Sequence, residues 1–233
     1  MIRVAVAGVK GRMGALAVDA VRSAEDLEYV GGFAREPDPD EHIVDDLPHL
    51  LEEHKPEVLI DFTIYPKTVE VATQCIVHGV SPVIGATGWK ANDIETLRAL
   101  AHEHQVGAML VPNFALGAAL MLRLSETAAR YFPSAEILEL HHDQKKDMPS
   151  GTARLTADRL KSAMRKEVPV HSVRLQGMLA HQAVIFGNAG ETLTIRHDTI
   201  SRESYVGGIL FAVRAARKLH SLQIGLDGLL ERA

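Results

Sequence analysis

Ile2-Arg3-Val4-Ala5-Val6-Ala7-Gly8-Val9-Lys10-Gly11-Arg12-Met13-Gly14 opens the chain with a strand-like run, a glycine turn and the start of a helix. The apolar, β-branched residues run from Ile2 to Ala7, and helical spacing takes over from Gly11 to Arg22. The glycines follow G-x-x-G-x-x-G rather than G-x-G-x-x-G. Each still answers a physical need of a dinucleotide loop. Gly8 permits a tight turn, Gly11 lets the backbone approach a pyrophosphate, and Gly14 allows close packing of helix on sheet. A turn with only a structural role is the competing reading.

Downstream the same grammar repeats. Glu28–Phe33 reads as a strand and Glu57–Asp61 as a short apolar run. Lys67–His78 is helical and leads to the strand Pro82–Ile84, and helical Asn92–His104 leads to Val106–Val111. Such alternation predicts an α/β fold, a Rossmann-like doubly wound parallel sheet covered by helices. Gly85-Ala86-Thr87-Gly88 then follows a fourth strand and Pro112-Asn113-Phe114 a fifth, at the carboxyl ends where such sheets bind ligands. Asn113 carries the donor and acceptor needed to hold a carboxamide. The second strand ends in Ala34-Arg35, so the acidic residue that would accept from a ribose 2′-OH is missing and a guanidinium follows. Lys10 and Arg12 add positive charge, while Glu36 one residue on could restore part of the acidic contact. Glu36-Pro37-Asp38-Pro39-Asp40-Glu41 reads as an acidic surface loop.

After a helix over Ala115–Arg130 the pattern changes. Ile137–Leu140, Ser172–Leu175, Ala183–Phe186 and Thr192–Thr199 are strand candidates with one clear helix among them. Leu193 and Ile195 alternate with Thr192, Thr194 and Arg196, the period of a half-buried strand. This predicts a second α+β domain with a small mixed or antiparallel sheet and one open face. Ile209, Val213, Ala216 and Leu219 form one face of a final amphipathic stretch that returns to the first domain. The expected division is a dinucleotide-binding domain over 1–114, completed by 206–233, and a substrate-binding and oligomerisation domain over 115–205.

With 233 residues, 46% hydrophobic and 24% charged, the chain has the composition of a soluble globular protein. No apolar run approaches the roughly 20 residues of a membrane span, and no secretory signal precedes Ile2. A net charge of −5 without a basic tract disfavours nucleic-acid binding. Cys75, the one cysteine, supports neither an intrachain disulfide nor a cysteine metal cluster, and a cytoplasmic location is expected.

The chemistry concentrates in Glu139-Leu140-His141-His142-Asp143-Gln144-Lys145-Lys146-Asp147-Met148-Pro149-Ser150-Gly151-Thr152-Ala153. A strand ends in two imidazoles, a loop carries two ammonium groups, and a helix begins at Pro149-Ser150-Gly151-Thr152. Ala153, Ala157, Leu160 and Met164 form its apolar stripe. Proton donors therefore lead into exposed helix N–H groups that can hold a carboxylate or phosphate. The plainer reading is a solvated basic turn. In a regular strand His141 and His142 point to opposite faces, so they divide into different roles. Adjacent His141, His142 and Asp143 do not converge on a metal, and none is expected.

These residues carry a resemblance. Over nearly its whole length the chain resembles the 4-hydroxy-tetrahydrodipicolinate (dihydrodipicolinate) reductase family. The match runs from Val6–Gly14 through Ile60-Asp61-Phe62-Thr63, Pro112-Asn113-Phe114 and the Glu139–Ala153 segment to His181–Gly187 and Ile195-Arg196-His197. The E-x-H-H-x-x-K-x-D-x-P-S-G-T segment is specific to the family, as the glycine loop is not. The resemblance implies reduction of a cyclic dicarboxylate imine with NADPH or NADH, in diaminopimelate and lysine synthesis, by a homotetramer assembled through the second-domain sheet. It casts His141 as the general acid/base and Lys145 as the proton donor. His142, Ser150, Gly151 and Thr152 become the carboxylate site. Gly8, Val9, Lys10, Gly11, Arg12, Met13, Arg35, Gly85, Ala86, Thr87, Val111, Pro112, Asn113 and Phe114 become the nucleotide contacts. Departures are Ala86 and Ala115, where Thr and Ser are usual, and Met148 in place of a small residue. A related nucleotide-dependent dehydrogenase of another small acid is the alternative reading, and a dinucleotide sensor without catalysis a third.

Overall fold

The computed structural model describes residues 1–230 and divides into two compact units, Met1–Phe114 with Val206–Leu229, and a second beginning at Ala115 and running to Tyr205. In chain order the elements are β1 (Ile2–Ala7), α1 (Arg12–Arg22), β2 (Leu27–Phe33), β3 (Ile43–Val44), α2 (Leu47–Glu53), β4 (Val58–Asp61), α3 (Lys67–Val77), β5 (Ser81–Ile84), α4 (Ala91–Glu103) and β6 (Ala108–Leu110). The second unit follows with α5 (Leu116–Ala128), β7 (Ser134–His141), α6 (Gly151–Met164), β8 (Val170–Arg174), β9 (Ala180–Asn188) and β10 (Glu191–Thr199). The chain then returns to the first unit with α7 (Val206–Ala216) and β11 (Leu222–Ile224).

The first unit is a seven-stranded sheet of order β11-β6-β5-β4-β1-β2-β3, parallel throughout. Its strand order reverses between β1 and β4, and a ligand crevice forms at the carboxyl ends beside such a reversal. The central strands are apolar on both faces because helices cover both: Val4, Ala5, Val6 and Ala7 are all 0% exposed. Cys75 of α3 is fully buried in this core and burial pushes its thiol well above the ordinary range, which makes it a packing residue. Gly208 of α7 lies directly against Phe114, since a Cβ there would stand 1.7 Å from the Phe114 carbonyl oxygen.

Two elements, β3 and α2, were not legible as such in the sequence. β3 makes the glycine segment Gly85–Gly88 follow the fifth strand and Pro112–Phe114 the sixth, a correction of one in each count. β11 adds a seventh strand at the far edge. Asp46 caps α2 by accepting from the His49 N–H at 3.2 Å, and the acidic stretch contains a single 3-10 turn, Pro39–Glu41.

The second unit carries a four-stranded mixed sheet of order β10-β9-β7-β8, in which only the β7–β8 pair is parallel. Ala135 and Ile137 of β7, with Val184 and Phe186 of β9, bury one face against Ala153 and Leu160 of α6. By strand alternation Glu139 and His141 project from that same face. Leu193 does not fit the half-buried pattern: it lies near the start of β10 and is 38% exposed, while Ile195 joins the covered face. No helix among the described residues is long and apolar enough to cross a membrane.

Candidate active site

In the second unit, register brings chemistry together. Across the covered face Gln182, Glu139 and Ser172 lie side by side on β9, β7 and β8, and in the next row Ala180, His141 and Arg174 do the same. Glu139 is 0% exposed. A buried carboxylate needs charged or hydrogen-bonding partners, and it has both. Arg174 Nη2 donates to Glu139 Oε1 at 2.8 Å, and His141 Nδ1 stands 2.5 Å from Oε2. Burial works to raise the Glu139 carboxyl, but hydrogen bonds from Arg174 and Ser172 and the charges of His141 and Arg174 bring it below its ordinary range.

Arg174 turns two further donors to the loop between β7 and α6 and one to its own strand. Its Nε donates to the Lys145 carbonyl at 3.2 Å, Nη2 to the Asp147 carbonyl at 2.7 Å, and Nη1 to the Val173 carbonyl at 2.8 Å. The loop is thus fastened to the ends of β7 and β8. Lys145 Nζ lies 2.7 Å from Asp147 Oδ1, and that bond holds the Asp147 carboxyl below its ordinary range. His141 is held below 6.5, first by burial and then by the charges of Lys145 and Arg174, with Glu139 opposing. Lys145 and His141 therefore share one electrostatic field. Losing Arg174 alone would strand a buried charge at about 3–5 kcal/mol.

α6 starts where this loop ends. Ser150 is its N-cap, 3% exposed, and its Oγ accepts from the Ala153 N–H at 3.2 Å. The Ser150 oxygen accepts from the helix while its O–H stays a donor, so the donors at this end are that hydroxyl and the Gly151 and Thr152 N–H groups, which have no intrahelical acceptor. A Cβ on Gly151 would meet nothing within 4 Å, so an anion can approach it closely. His142 lies just beyond the end of β7 and is exposed, as is Lys146.

In the first unit the residues assigned to the nucleotide gather at strand carboxyl ends. Gly8 turns with φ +75°, and its missing Cβ would stand 2.8 Å from the Phe62 carbonyl. That contact joins the ends of β1 and β4 at the reversal of strand order. A Cβ on Gly14 would stand 2.2 Å from the Gly8 carbonyl oxygen, whereas Gly11 meets only that oxygen, at 3.2 Å, and otherwise faces open space. Gly11 caps α1 with no side-chain hydrogen bond, which leaves the first helix N–H groups open to a pyrophosphate. These residues fit a dinucleotide. Val9 is buried, Lys10, Arg12 and Arg35 are exposed, and Lys10 Nζ is 3.8 Å from Glu36 Oε2. Gly85 makes room for the Phe62 and Phe114 rings, which meet edge to face at 5.6 Å. Beside them Ala86 and Val111 are buried, Thr87 and Pro112 exposed, and Asn113 partly so.

Sequence reasoning missed Glu139, Arg174 and Asp61 as parts of these sites. Glu139 had a signal, standing two residues before His141 and so on its face. Asp61, fully buried at the end of β4, accepts from the Thr63 N–H at 2.8 Å and the Thr68 hydroxyl at 2.5 Å, fixing the Phe62–Thr63 backbone against Gly8. No group of three or more His, Cys, Asp or Glu among the described residues could hold a metal ion.

Comparison with known proteins gives the family. Residues 2–114 match the family model for the dihydrodipicolinate reductase N-terminus, and residues 117–230 the model for its C-terminus. The chain is 41% identical to the 4-hydroxy-tetrahydrodipicolinate reductase of Moorella thermoacetica, over 99% of this chain and 98% of that protein. It is 40% identical to the enzyme of the same name from Geobacillus thermodenitrificans, over 99% of each. The solved structure of dipicolinate-bound dihydrodipicolinate reductase from Paenisporosarcina sp. TG-14 superposes with a TM-score of 0.90 at 34% identity, covering 98% of this chain and 99% of that one. The chain belongs to the dihydrodipicolinate reductase family.

Proposed function

We propose that this chain reduces 4-hydroxy-tetrahydrodipicolinate to tetrahydrodipicolinate with NADPH or NADH, with protons exchanged by His141 and Lys145. The observation that carries the residue roles is the His141–Glu139 pair at the end of β7, in the field of Lys145 on the loop that opens α6. Reductases of this name are similar to the chain over its full length, and a related structure holds the dicarboxylate dipicolinate.

A bound nicotinamide dinucleotide supplies the hydride. Gly8 to Met13 and the start of α1 hold its pyrophosphate, while Gly85 to Thr87 and Val111 to Phe114 line the sheet end beyond. His142 and the N–H groups of Gly151 and Thr152 hold a substrate carboxylate at the positive end of α6. Ser150 supports them by fixing the first turn. Loss of the 4-hydroxyl as water, with a proton from the adjacent ring carbon, leaves a conjugated C=C–C=N unit. Hydride added at its carbon end gives an enamine that takes up one proton from Lys145, while His141 exchanges a proton at Nε2. The compartment is the cytoplasm, and the assembly is a homotetramer built on the open face of the small sheet.

Ala34-Arg35 at the end of β2 lacks a carboxylate, and Arg35 offers a bidentate partner to a 2′-phosphate. NADPH is therefore used at least as well as NADH. The test is nucleotide oxidation in an assay coupled to dihydrodipicolinate synthase, run with both nucleotides and with Arg35→Ala. Turnover with a weaker NADPH response in the variant is the expected result. No turnover of the cyclic imine, or turnover of an aspartate-semialdehyde-type substrate instead, would reject the reaction. An NADH preference above about tenfold, near 1.4 kcal/mol, would remove Arg35 from the selectivity argument.

A further inference from the structure

The hydrogen bonds around Glu139 decide which nitrogen of His141 carries the proton. An ionised carboxylate only accepts. One Glu139 oxygen faces the Arg174 guanidinium, which only donates, and the other faces His141 Nδ1. The nitrogen facing that carboxylate must then be the donor. We infer that Arg174 and Glu139 are positioning residues that hold His141 as the Nδ1–H tautomer with the Nε2 lone pair presented to substrate, and that Arg174 also fastens the loop bearing Lys145. The inference rests on the reading of His141 as the proton-exchanging group.

Two features make this more than an ion pair that stabilises the fold. Glu139 and His141 are separated by one residue on the same strand face, so the carboxylate meets Nδ1 and leaves Nε2 on the far side of the ring. Arg174 sits opposite His141 in the β7–β8 register and reaches the Lys145 and Asp147 carbonyls from there. One guanidinium therefore sets both proton-carrying groups. The charged groups facing His141 are Glu139, Lys145 and Arg174, and with burial they leave the imidazole neutral near pH 7.

Glu139→Gln separates this role from simple support. Glutamine has one oxygen, and Arg174 requires it. The amide NH2 is then left facing His141 Nδ1, which becomes an acceptor, and the proton moves to Nε2. Shape is kept while the tautomer inverts.

The measurement is 15N NMR of the histidine side chains in the full-length protein at neutral pH, wild type and Glu139→Gln, together with pH profiles of kcat/KM. Wild-type His141 should carry its proton on Nδ1, and the variant on Nε2. The variant's kcat should fall by about 10² or more, as when a triad carboxylate is replaced by its amide, with nucleotide affinity near wild type. The acid limb of the wild-type profile should fall as pH drops through the lowered His141 pKa, and the variant's limb should move to still lower pH. Wild-type His141 protonated on Nε2 would overturn the inference, even if the variant failed to fold. So would a variant with unchanged tautomer and kcat within about twofold of wild type. A wild-type Nδ1–H tautomer beside a fully active His141→Gln enzyme would instead sink the catalytic reading on which the inference rests.

Discussion

Lys145 and Lys146 are neighbours with different surroundings. Lys145 is 23% exposed, its ammonium is paired with Asp147 and its carbonyl is held by Arg174, whereas Lys146 is exposed. Lys145→Ala should therefore lower kcat by about 10² or more, while Lys146→Ala, a solvated charge worth little, stays within about twofold of wild type. Steady-state kinetics on the two variants checks this, and equal losses would show that the loop supplies only positive field. The spacing of His141 and Lys145 before the start of α6 was legible in the sequence because loop and helix are local. Arg174 was not, since its partnership with Glu139 spans 35 positions and exists only through β7–β8 pairing. Ser150 was legible as a helix start, but its caging by the Ala153 N–H needed the structure.

Two glycines at helix starts behave oppositely. A Cβ on Gly14 would meet backbone atoms of Gly8 and Val9 at 2.2 and 2.8 Å, so α1 would have to move off the glycine turn. Gly14→Ala should lower both Tm and nucleotide affinity. A Cβ on Gly151 meets nothing within 4 Å, and alanine reduces the freedom of the unfolded chain by about 0.4–1 kcal/mol. Gly151→Ala should keep or raise Tm, yet raise KM for the dicarboxylate because a methyl stands before the α6 N–H groups. Thermal melts with calorimetric nucleotide binding separate the two, and an unchanged KM in Gly151→Ala would take the α6 terminus out of the substrate site. Elements with long, strong periods, such as α1, α3 and α4, were legible in the sequence to within about a residue. β3 was not, being two residues long, and α2 was hidden by Pro48 in its first turn, where proline is tolerated. Leu193 misled because alternation near a strand end says which side a residue faces, without saying whether anything covers it.

At the scale of the whole molecule, the seven parallel strands and the mixed four-stranded sheet were foreshadowed by the change of grammar near residue 115. The parallel β7–β8 pair was not, because a crossover through α6 leaves no local mark in the sequence. Away from α6 that sheet presents Ile185, 38% exposed, with Leu138 and Leu140, which are partly buried, among the hydrogen-bonded pairs His171–Glu136 and His181–Asp198. If subunits join there, light scattering should give a tetramer in solution, and Ile185→Glu should dissociate it; a wild-type monomer would contradict that assembly. The central claim is that one imidazole, oriented at the end of β7, exchanges a proton in the reduction that Lys145 completes. The direct measurement is kcat for NADPH-dependent imine reduction by wild type and His141→Gln, with nucleotide Kd measured on both. Glutamine keeps hydrogen-bonding capacity but exchanges no proton near neutrality, so kcat should fall by about 10² to 10⁴ with Kd unchanged. A variant retaining more than about half of the wild-type kcat would contradict the account.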